Sequence, residues 1–225
     1  ELVLVDDKST DNTKHIITNL ENTNSMVSLF FHEKNFGQSK ALYTGVKMAK
    51  SDIIITLDAD LQNNPQDIEK LIKLYYSDEN IKLVGGIRLN RKDSLKKIIS
   101  SKIANSLRIL ILKDECKDTG CSLKIFDREL FLNLPFFDGI HRFLPALFKY
   151  SKSVNKFVNV DHRVRRYGIS KYGTVGRAFK GLLDVIKVKK IIKGLVNDWL
   201  LNKSIKLRNI FFTFVLCLLN YSTGK

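Results

Sequence analysis

Ile53-Ile54-Ile55-Thr56-Leu57-Asp58-Ala59-Asp60-Leu61-Gln62 is the stretch on which the reading of this chain turns. Its first half is a short run of aliphatic and β-branched residues, the composition of a strand buried on both faces. Its second half is an abrupt acidic exit. On an extended segment residues i and i+2 project the same way, so Asp58 and Asp60 can face one cation. A hard divalent ion takes such oxygen ligands and can bridge them to a diphosphate. Gln62 adds a neutral oxygen on the same side. A lone Asp-x-Asp more often just ends a strand and caps a helix, so the neighbouring segments have to decide.

Working outward, the same grammar repeats. Leu2–Val5 is an apolar run that exits into Asp6-Asp7-Lys8-Ser9-Thr10-Asp11, with Thr10 or Asp11 placed to cap the next helix. Val27–Phe31 exits into His32-Glu33-Lys34-Asn35-Phe36-Gly37, and Ser39 to Ala49 has helical character. Pro65 opens a helix through Tyr76, and Lys82–Ile87 follows as a fourth strand. Alternation of this kind predicts an α/β fold with a mostly parallel sheet and helices on both faces. Ligands of such sheets bind beyond the C-terminal strand ends, where Asp6/Asp7, Asn35–Gly37 and Asp58–Gln62 all fall. Downstream, Ser94 to Leu112 reads as a long basic helix, Ser122–Phe126 as a strand leading to a helix start at Asp127, and Val158–Val164 as a further strand. The chain opens as a strand already under way, and its natural N-terminus is expected upstream.

The 225 residues carry 38 Lys and Arg against 23 Asp and Glu, a net charge of +15, which calls for an anionic partner. Three cysteines, Cys116, Cys121 and Cys217, show no metal-ligand spacing and favour a reducing, cytoplasmic setting. Beyond about Gly176 the composition shifts to lysine and aliphatic residues, which divides the chain into 1–175 and 176–225. Val185, Val188, Ile192, Leu195, Val196 and Trp199 share one helical face, with Lys187, Lys189, Lys190 and Lys193 opposite. Phe179, Leu182, Leu183 and Ile186 form a second, rotated stripe. A basic amphipathic helix of this kind suits an anionic headgroup layer, although packing on the domain core is the ordinary alternative. Ile210–Leu219 is apolar but far short of the roughly 20 residues that span a bilayer.

Val5-Asp6-Asp7-Lys8-Ser9-Thr10-Asp11, Asn35-Phe36-Gly37-Gln38-Ser39-Lys40-Ala41 and Asp58-Ala59-Asp60-Leu61-Gln62-Asn63-Asn64-Pro65 together resemble family 2 glycosyltransferases of the GT-A fold. Asp118-Thr119-Gly120-Cys121-Ser122-Leu123-Lys124, His141-Arg142-Phe143-Leu144-Pro145 and Arg165-Arg166-Tyr167-Gly168-Ile169-Ser170-Lys171-Tyr172-Gly173 look like the polyisoprenyl-phosphate branch, of which dolichol-phosphate mannose synthase is the best-known type. The family's first strand is absent from this sequence.

The resemblance implies a set of roles. Asp7 would contact the nucleoside base, with Asn35 and Gly37 beside it in the nucleotide-sugar site. Asp58, Asp60 and Gln62 would hold Mg²⁺ or Mn²⁺ and, through it, the donor diphosphate. Arg166, Ser170 and Lys171 would close over that diphosphate, while Arg88, Lys97 and Ser101 would bind the acceptor phosphate. Asp118 is a candidate to face the reaction centre, and His141 is either a packed helix-start residue or a neighbour of the sugar. The implied reaction is attack by a phosphate oxygen on the anomeric carbon. That nucleophile is already anionic, so charge neutralisation matters more than a strong base. The implied setting is the cytoplasmic face of a membrane, peripheral or monotopic, in the building of cell-envelope glycans. A homo-oligomer is left open. Three other classes account for parts of the sequence: a basic nucleic-acid-binding module, a catalytically silent scaffold of the same family, and a nucleotidyltransferase. The aromatics are not interleaved with the basic residues as a stacking platform requires, which argues against nucleic acid.

Overall fold

The computed structural model describes residues 1–89, 105–151, 153–163, 181 and 183–196. Strand β1 (Leu2–Asp6) leads to helix α1 (Thr13–Thr23) and to β2 (Val27–Phe31), which pairs parallel with β1 from Leu2↔Val27 to Asp6↔Phe31. The α1 cap falls near the expected place: Asn12 is the N-cap residue, and the Asp11 carboxylate accepts from the Thr13 amide at 3.0 Å. Helix α2 (Gln38–Met48) then packs against β1.

Strand β3 (Ile53–Thr56) belongs to a second sheet of order β3-β5-β4-β6, with β4 over Ile81–Arg88, β5 over Lys124–Asp127 and β6 over Val154–Val160. β4 and β6 are parallel, and β5 runs antiparallel to both β3 and β4. β3, β4 and β6 therefore point one way and β5 alone is reversed, as a mostly parallel sheet requires. A 3₁₀ turn at Pro65–Asp67 opens α3 (Ile68–Tyr75), matching the expected proline-started helix. Of the long basic helix, residues 105–112 are described and helical (α4). Short helices α5 (Arg128–Leu132) and α6 (Leu144–Tyr150) follow, the first capped by Asp127, whose side chain accepts from the Leu130 amide. Residues 183–196 form α7.

Both faces of the larger sheet are covered, which is why its strands read as continuous apolar runs. On one face Phe126, Leu83 and Ile54 join Val46 of α2, Phe131 of α5 and Leu144, Leu147 and Phe148 of α6. On the other, Val84, Ile125 and Val160 meet Leu71 and Tyr75 of α3. Adjacent residues Leu83 and Val84 thus enter opposite cores. Gly86 sits where β4 passes Cys121 and Val160, and a Cβ there would lie 2.8 Å from the Cys121 sulfur. Cys116 and Cys121 are buried, and burial pushes the Cys116 thiol up to about 11, so both act as small core residues.

The first amphipathic stripe of the basic segment packs on protein. Val185, Val188 and Ile192 are buried in the main core with Phe137, Phe143 and Leu144, and Leu195 and Val196 pack against it. The expectation that this stripe faces lipid is corrected here: the apolar face has an aromatic partner closer to hand. Of the rotated stripe, Leu183 and Ile186 are exposed, at 52% and 47%, while Phe179 and Leu182 lie outside the described residues. No helix among the described residues is long and apolar enough to cross a membrane. Trp199 and Ile210–Leu219 lie outside the described residues.

Candidate active site

The strand ends converge on a cleft of about 1540 Å³ between the two sheets, lined by the length of β1 and of β3. Asp7, Asn35 and Gly37 line it from the first sheet; Asp58, Gly120–Ser122 and Lys124 line it from the second, with His141 and Arg142 closing one side. Segments distant in sequence are thus brought together as the acidic and glycine-containing exits implied.

Asp7 ties the β1 exit to the β2 exit. Its Oδ1 accepts from the Phe36 amide at 2.8 Å and pairs with His32 Nδ1 at 2.7 Å, while Oδ2 accepts from the Gly37 amide at 2.7 Å. The Asn35 side chain donates back to the Asp7 carbonyl at 3.0 Å. Desolvation would raise this carboxyl, but the bonds from His32, Phe36 and Gly37 outweigh it and hold Asp7 below the usual carboxylate range. Gly37 has φ +87°, a conformation that favours glycine, and its turn aims the start of α2 at the cleft.

At the β3 exit, Gln38 of α2 donates to Asp58 Oδ1 at 2.8 Å, and the Asp58 amide donates to Ser122 Oγ at 3.2 Å. Asp58 is open to solvent yet sits in a concave wall. Desolvation by the surrounding protein, with the charge of Asp60 adding to it, raises its carboxyl above the usual range. Leu61 takes φ +63°, and Asp60 Oδ1 accepts from the Gln62 amide at 3.1 Å, closing a tight acidic turn. Beneath it lies Lys124, 4% exposed, whose ammonium donates to the Cys121 carbonyl. Burial pulls its pKa down, against the opposing influence of Cys121, Cys116, Asp118 and Asp58. No group of three or more His, Cys, Asp or Glu side chains poised for a metal occurs among the described residues. The acidic pair suits a divalent ion by its chemistry: two carboxylates in one tight turn, with Asp58 exposed toward the cleft.

The acidic turn is stitched to the end of β6. Asn63 bridges His162, the Arg163 amide donates to the Gln62 carbonyl at 2.8 Å, and Arg163 Nη2 reaches Asn64 Oδ1 at 2.9 Å. The Gln62 amide nitrogen faces His162 Nε2 and the Arg163 carbonyl, both at 3.4 Å, which leaves its carbonyl oxygen as the atom a cation would take. Arg166, Ser170 and Lys171 begin three residues beyond Arg163 and lie outside the described residues, as do Lys97 and Ser101.

Arg88 and Asp118, expected in separate roles, are joined through Arg88 Nε and Nη2 to the two carboxylate oxygens, each at 2.8 Å. They stand beside the cleft rather than in its lining. On the far side, His141 Nδ1 meets Ser39 Oγ at 2.8 Å, and the same hydroxyl accepts from the Gly139 amide at 2.7 Å. Desolvation, with the charges of Arg142 and Lys124, lowers the His141 pKa to about 3, so the ring is neutral and acts as a packed structural partner of α2. Next to it, Arg142 Nη2 pairs with Asp184 Oδ2 of α7 at 2.7 Å. The sequence reading assigned no role to His32, Gln38, Ser39, Ser122 or Lys124. All but His32 lie inside the motif segments already quoted; the partners of His32, Gln38, Ser39 and Ser122 are 12 to 102 residues away, whereas Lys124 bonds locally to Cys121.

The family described as Glycosyl transferase family 2 matches residues 1–134. The chain is 35% identical over 195 residues to dodecaprenyl-phosphate galacturonate synthase of Rhizobium johnstonii, covering 84% of this chain and 56% of that protein. It is 32% identical over 187 residues to undecaprenyl-phosphate 4-deoxy-4-formamido-L-arabinose transferase of Yersinia pestis, covering 83% and 56%. The chain therefore spans little more than half the length of these relatives. Among solved structures, glucosyl-3-phosphoglycerate synthase of Mycobacterium tuberculosis, in complex with Mn²⁺, uridine diphosphate and glucosyl-3-phosphoglycerate, superposes with TM-score 0.63 at 18% identity, over 84% of this chain and 68% of that one. Mannosyl-3-phosphoglycerate synthase of Rubrobacter xylanophilus gives 0.65 at 14% identity, over 86% and 64%. These two share the fold.

Proposed function

The chain belongs to glycosyl transferase family 2, and from that premise we propose that it moves a sugar from a nucleotide-sugar to a polyisoprenyl phosphate, by single displacement with inversion, at a membrane surface. The observation that carries this reading is the meeting, in one cleft, of the Asp7–Gly37 turn at the exit of β1 and of Asp58, the first acid of the Asp58/Asp60 turn, at the exit of β3. The two relatives named for dodecaprenyl- and undecaprenyl-phosphate supply the acceptor class.

In this reading the nucleoside lies against the turn that Asp7 organises through the Phe36 and Gly37 amides. Asp58, Asp60 and the side-chain oxygen of Gln62 would hold Mg²⁺ or Mn²⁺, which when bound would neutralise charge growing on the departing diphosphate. Arg166, Ser170 and Lys171 clamp that diphosphate from the segment rooted at Arg163. Arg88, oriented by Asp118, presents a guanidinium to the acceptor phosphate together with Lys97 and Ser101; a guanidinium suits forked contact to phosphate oxygens. The acceptor oxygen is anionic at neutral pH and needs no strong general base, and no histidine in the cleft lining is charged to serve as an acid, His141 being neutral. Leu183, Ile186 and the lysines of α7 form the surface that meets anionic lipid.

The test is transfer itself. The full chain is incubated with polyisoprenyl phosphate, Mn²⁺ and labelled UDP- and GDP-sugars. Lipid-extractable label that EDTA and Asp60→Ala both abolish is the expected result. Release of pyrophosphate in place of nucleoside diphosphate, or an α-linked product from an α-linked donor, would overturn it.

A further inference from the structure

Ser122 stands at the centre of the acidic site although it belongs to neither acidic turn nor strand. Its hydroxyl oxygen accepts from the Asp58 amide at 3.2 Å and from Asn63 Nδ2 at 2.8 Å. Its carbonyl accepts from Thr56 Oγ1 at 2.6 Å, which pins the backbone of residue 122 to β3. A serine hydroxyl has two acceptor lone pairs and one proton. Both lone pairs are thus taken by amide donors, one of them the amide of Asp58 itself, so the hydroxyl ties the backbone of residue 58 to the segment that carries Asn63. The Asn63 backbone pairs with His162 in an isolated antiparallel bridge, which anchors the residue whose side chain donates to Ser122. From the opposite wall Gln38 donates to Asp58 Oδ1 at 2.8 Å.

We propose that Ser122 is a positioning residue for the cation site: held by Asn63, its hydroxyl fixes the Asp58 backbone through the Asp58 amide and so sets where the Asp58 carboxylate stands relative to Asp60. The inference rests on the reading of Asp58 and Asp60 as metal ligands. It follows from how carboxylate ligands are ordinarily supported, since an unsupported one shifts and binds more weakly. Asn63 and Ser122 come from segments 59 residues apart, so the arrangement exists only in the folded chain.

The test is Mn²⁺ titration of the full chain, followed by loss of the free-ion EPR signal, with thermal melts run alongside. Wild type should bind, Asp60→Ala should not, Ser122→Ala should bind about 10–100-fold more weakly, and Ser122→Thr, which restores a hydroxyl, should return to within a few-fold of wild type. Equal affinity in Ser122→Ala and wild type overturns the role of Ser122 while leaving the metal reading intact. Failure of wild type to bind above the Asp60→Ala level removes the metal reading and this inference with it. Should Ser122→Ala not fold, Asn63→Ala carries the test, because it keeps the hydroxyl and frees its rotation. Weaker Mn²⁺ binding supports the proposal, and wild-type binding overturns it.

Discussion

Arg88 and Asp118 meet as a two-bond fork, Nε to Oδ2 and Nη2 to Oδ1, both at 2.8 Å, and the Arg88 amide adds a third bond to Oδ2 at 3.2 Å. The pair is well buried, at 16% and 8% side-chain exposure. In the proposed reaction Asp118 would act only through the guanidinium it holds. Asp118→Asn and Arg88→Lys should each raise the KM for polyisoprenyl phosphate more than they lower kcat. The double variant should be little worse than either single one, because both remove one unit. Additive losses in a double-mutant cycle would mean that Asp118 works independently of Arg88. Each single change should also cost about 2–3 kcal/mol of stability, the scale of a lost charge-assisted hydrogen bond in a buried setting.

Gly120 tests the same fork by crowding. A Cβ on it would lie 2.7 Å from Arg88 Nη2. Gly120→Ala should displace the guanidinium and reproduce the raised acceptor KM of Arg88→Lys, with nucleotide affinity unchanged. An unaltered KM would show that Arg88 gives way without leaving its functional position.

Asp7 should matter for folding as well as for ligand. Asp7→Asn offers one acceptor oxygen where two amides and His32 are now served. A loss of roughly 1.5–3 kcal/mol is expected in urea denaturation at pH 7. Because the folded pKa of Asp7 is depressed, its contribution is present above the ordinary carboxylate value and disappears as pH falls through the lower folded one. Wild type and Asp7→Asn should therefore converge in stability only in strong acid, and a gap unchanged down to pH 2 would remove the charge from the explanation.

Strand exits were legible because an apolar run that stops at an acid is a local signal. Asp58 and Asp60 were read from their own ten residues, and the parallel alternation followed from repeating that pattern. The partners of those acids were not legible. Gln38, Ser122 and His32 are ordinary polar residues whose significance comes from segments 20 to 64 residues away. The same limit explains α7. Helical periodicity says that Val185, Val188 and Ile192 share a face, but not whether lipid or Phe137 and Phe143 cover it.

That distinction can be measured on α7. Leu183→Ser with Ile186→Ser changes two exposed residues and should leave the melting temperature near wild type while weakening binding to vesicles containing anionic lipid. Val188→Ser changes a residue with 0% exposure and should cost about 2–4 kcal/mol of stability. Asp184→Ala breaks the bond to Arg142 and should speed amide exchange across residues 183–196 without abolishing folding. Vesicle binding that survives the double change would move the lipid contact away from this face.

His141 gives the acid limb of stability a defined cause. Its folded pKa is lowered to about 3, whereas an unfolded histidine titrates near its ordinary value of 6.5. Between those two values the unfolded chain binds a proton that the folded one refuses, so stability falls as pH falls through the window. By pH 5 this single group would account for up to about 2 kcal/mol, at 1.36 kcal/mol per pKa unit. His141→Asn can still hydrogen-bond to Ser39 but has no proton to take up. Its stability relative to wild type should therefore improve steadily from pH 7.5 to pH 5 in urea denaturation, whatever the cost at pH 7.5. Parallel pH dependence in the two proteins would mean that His141 is not held neutral, and that Ser39 and Gly139 lock the start of α2 by some other means.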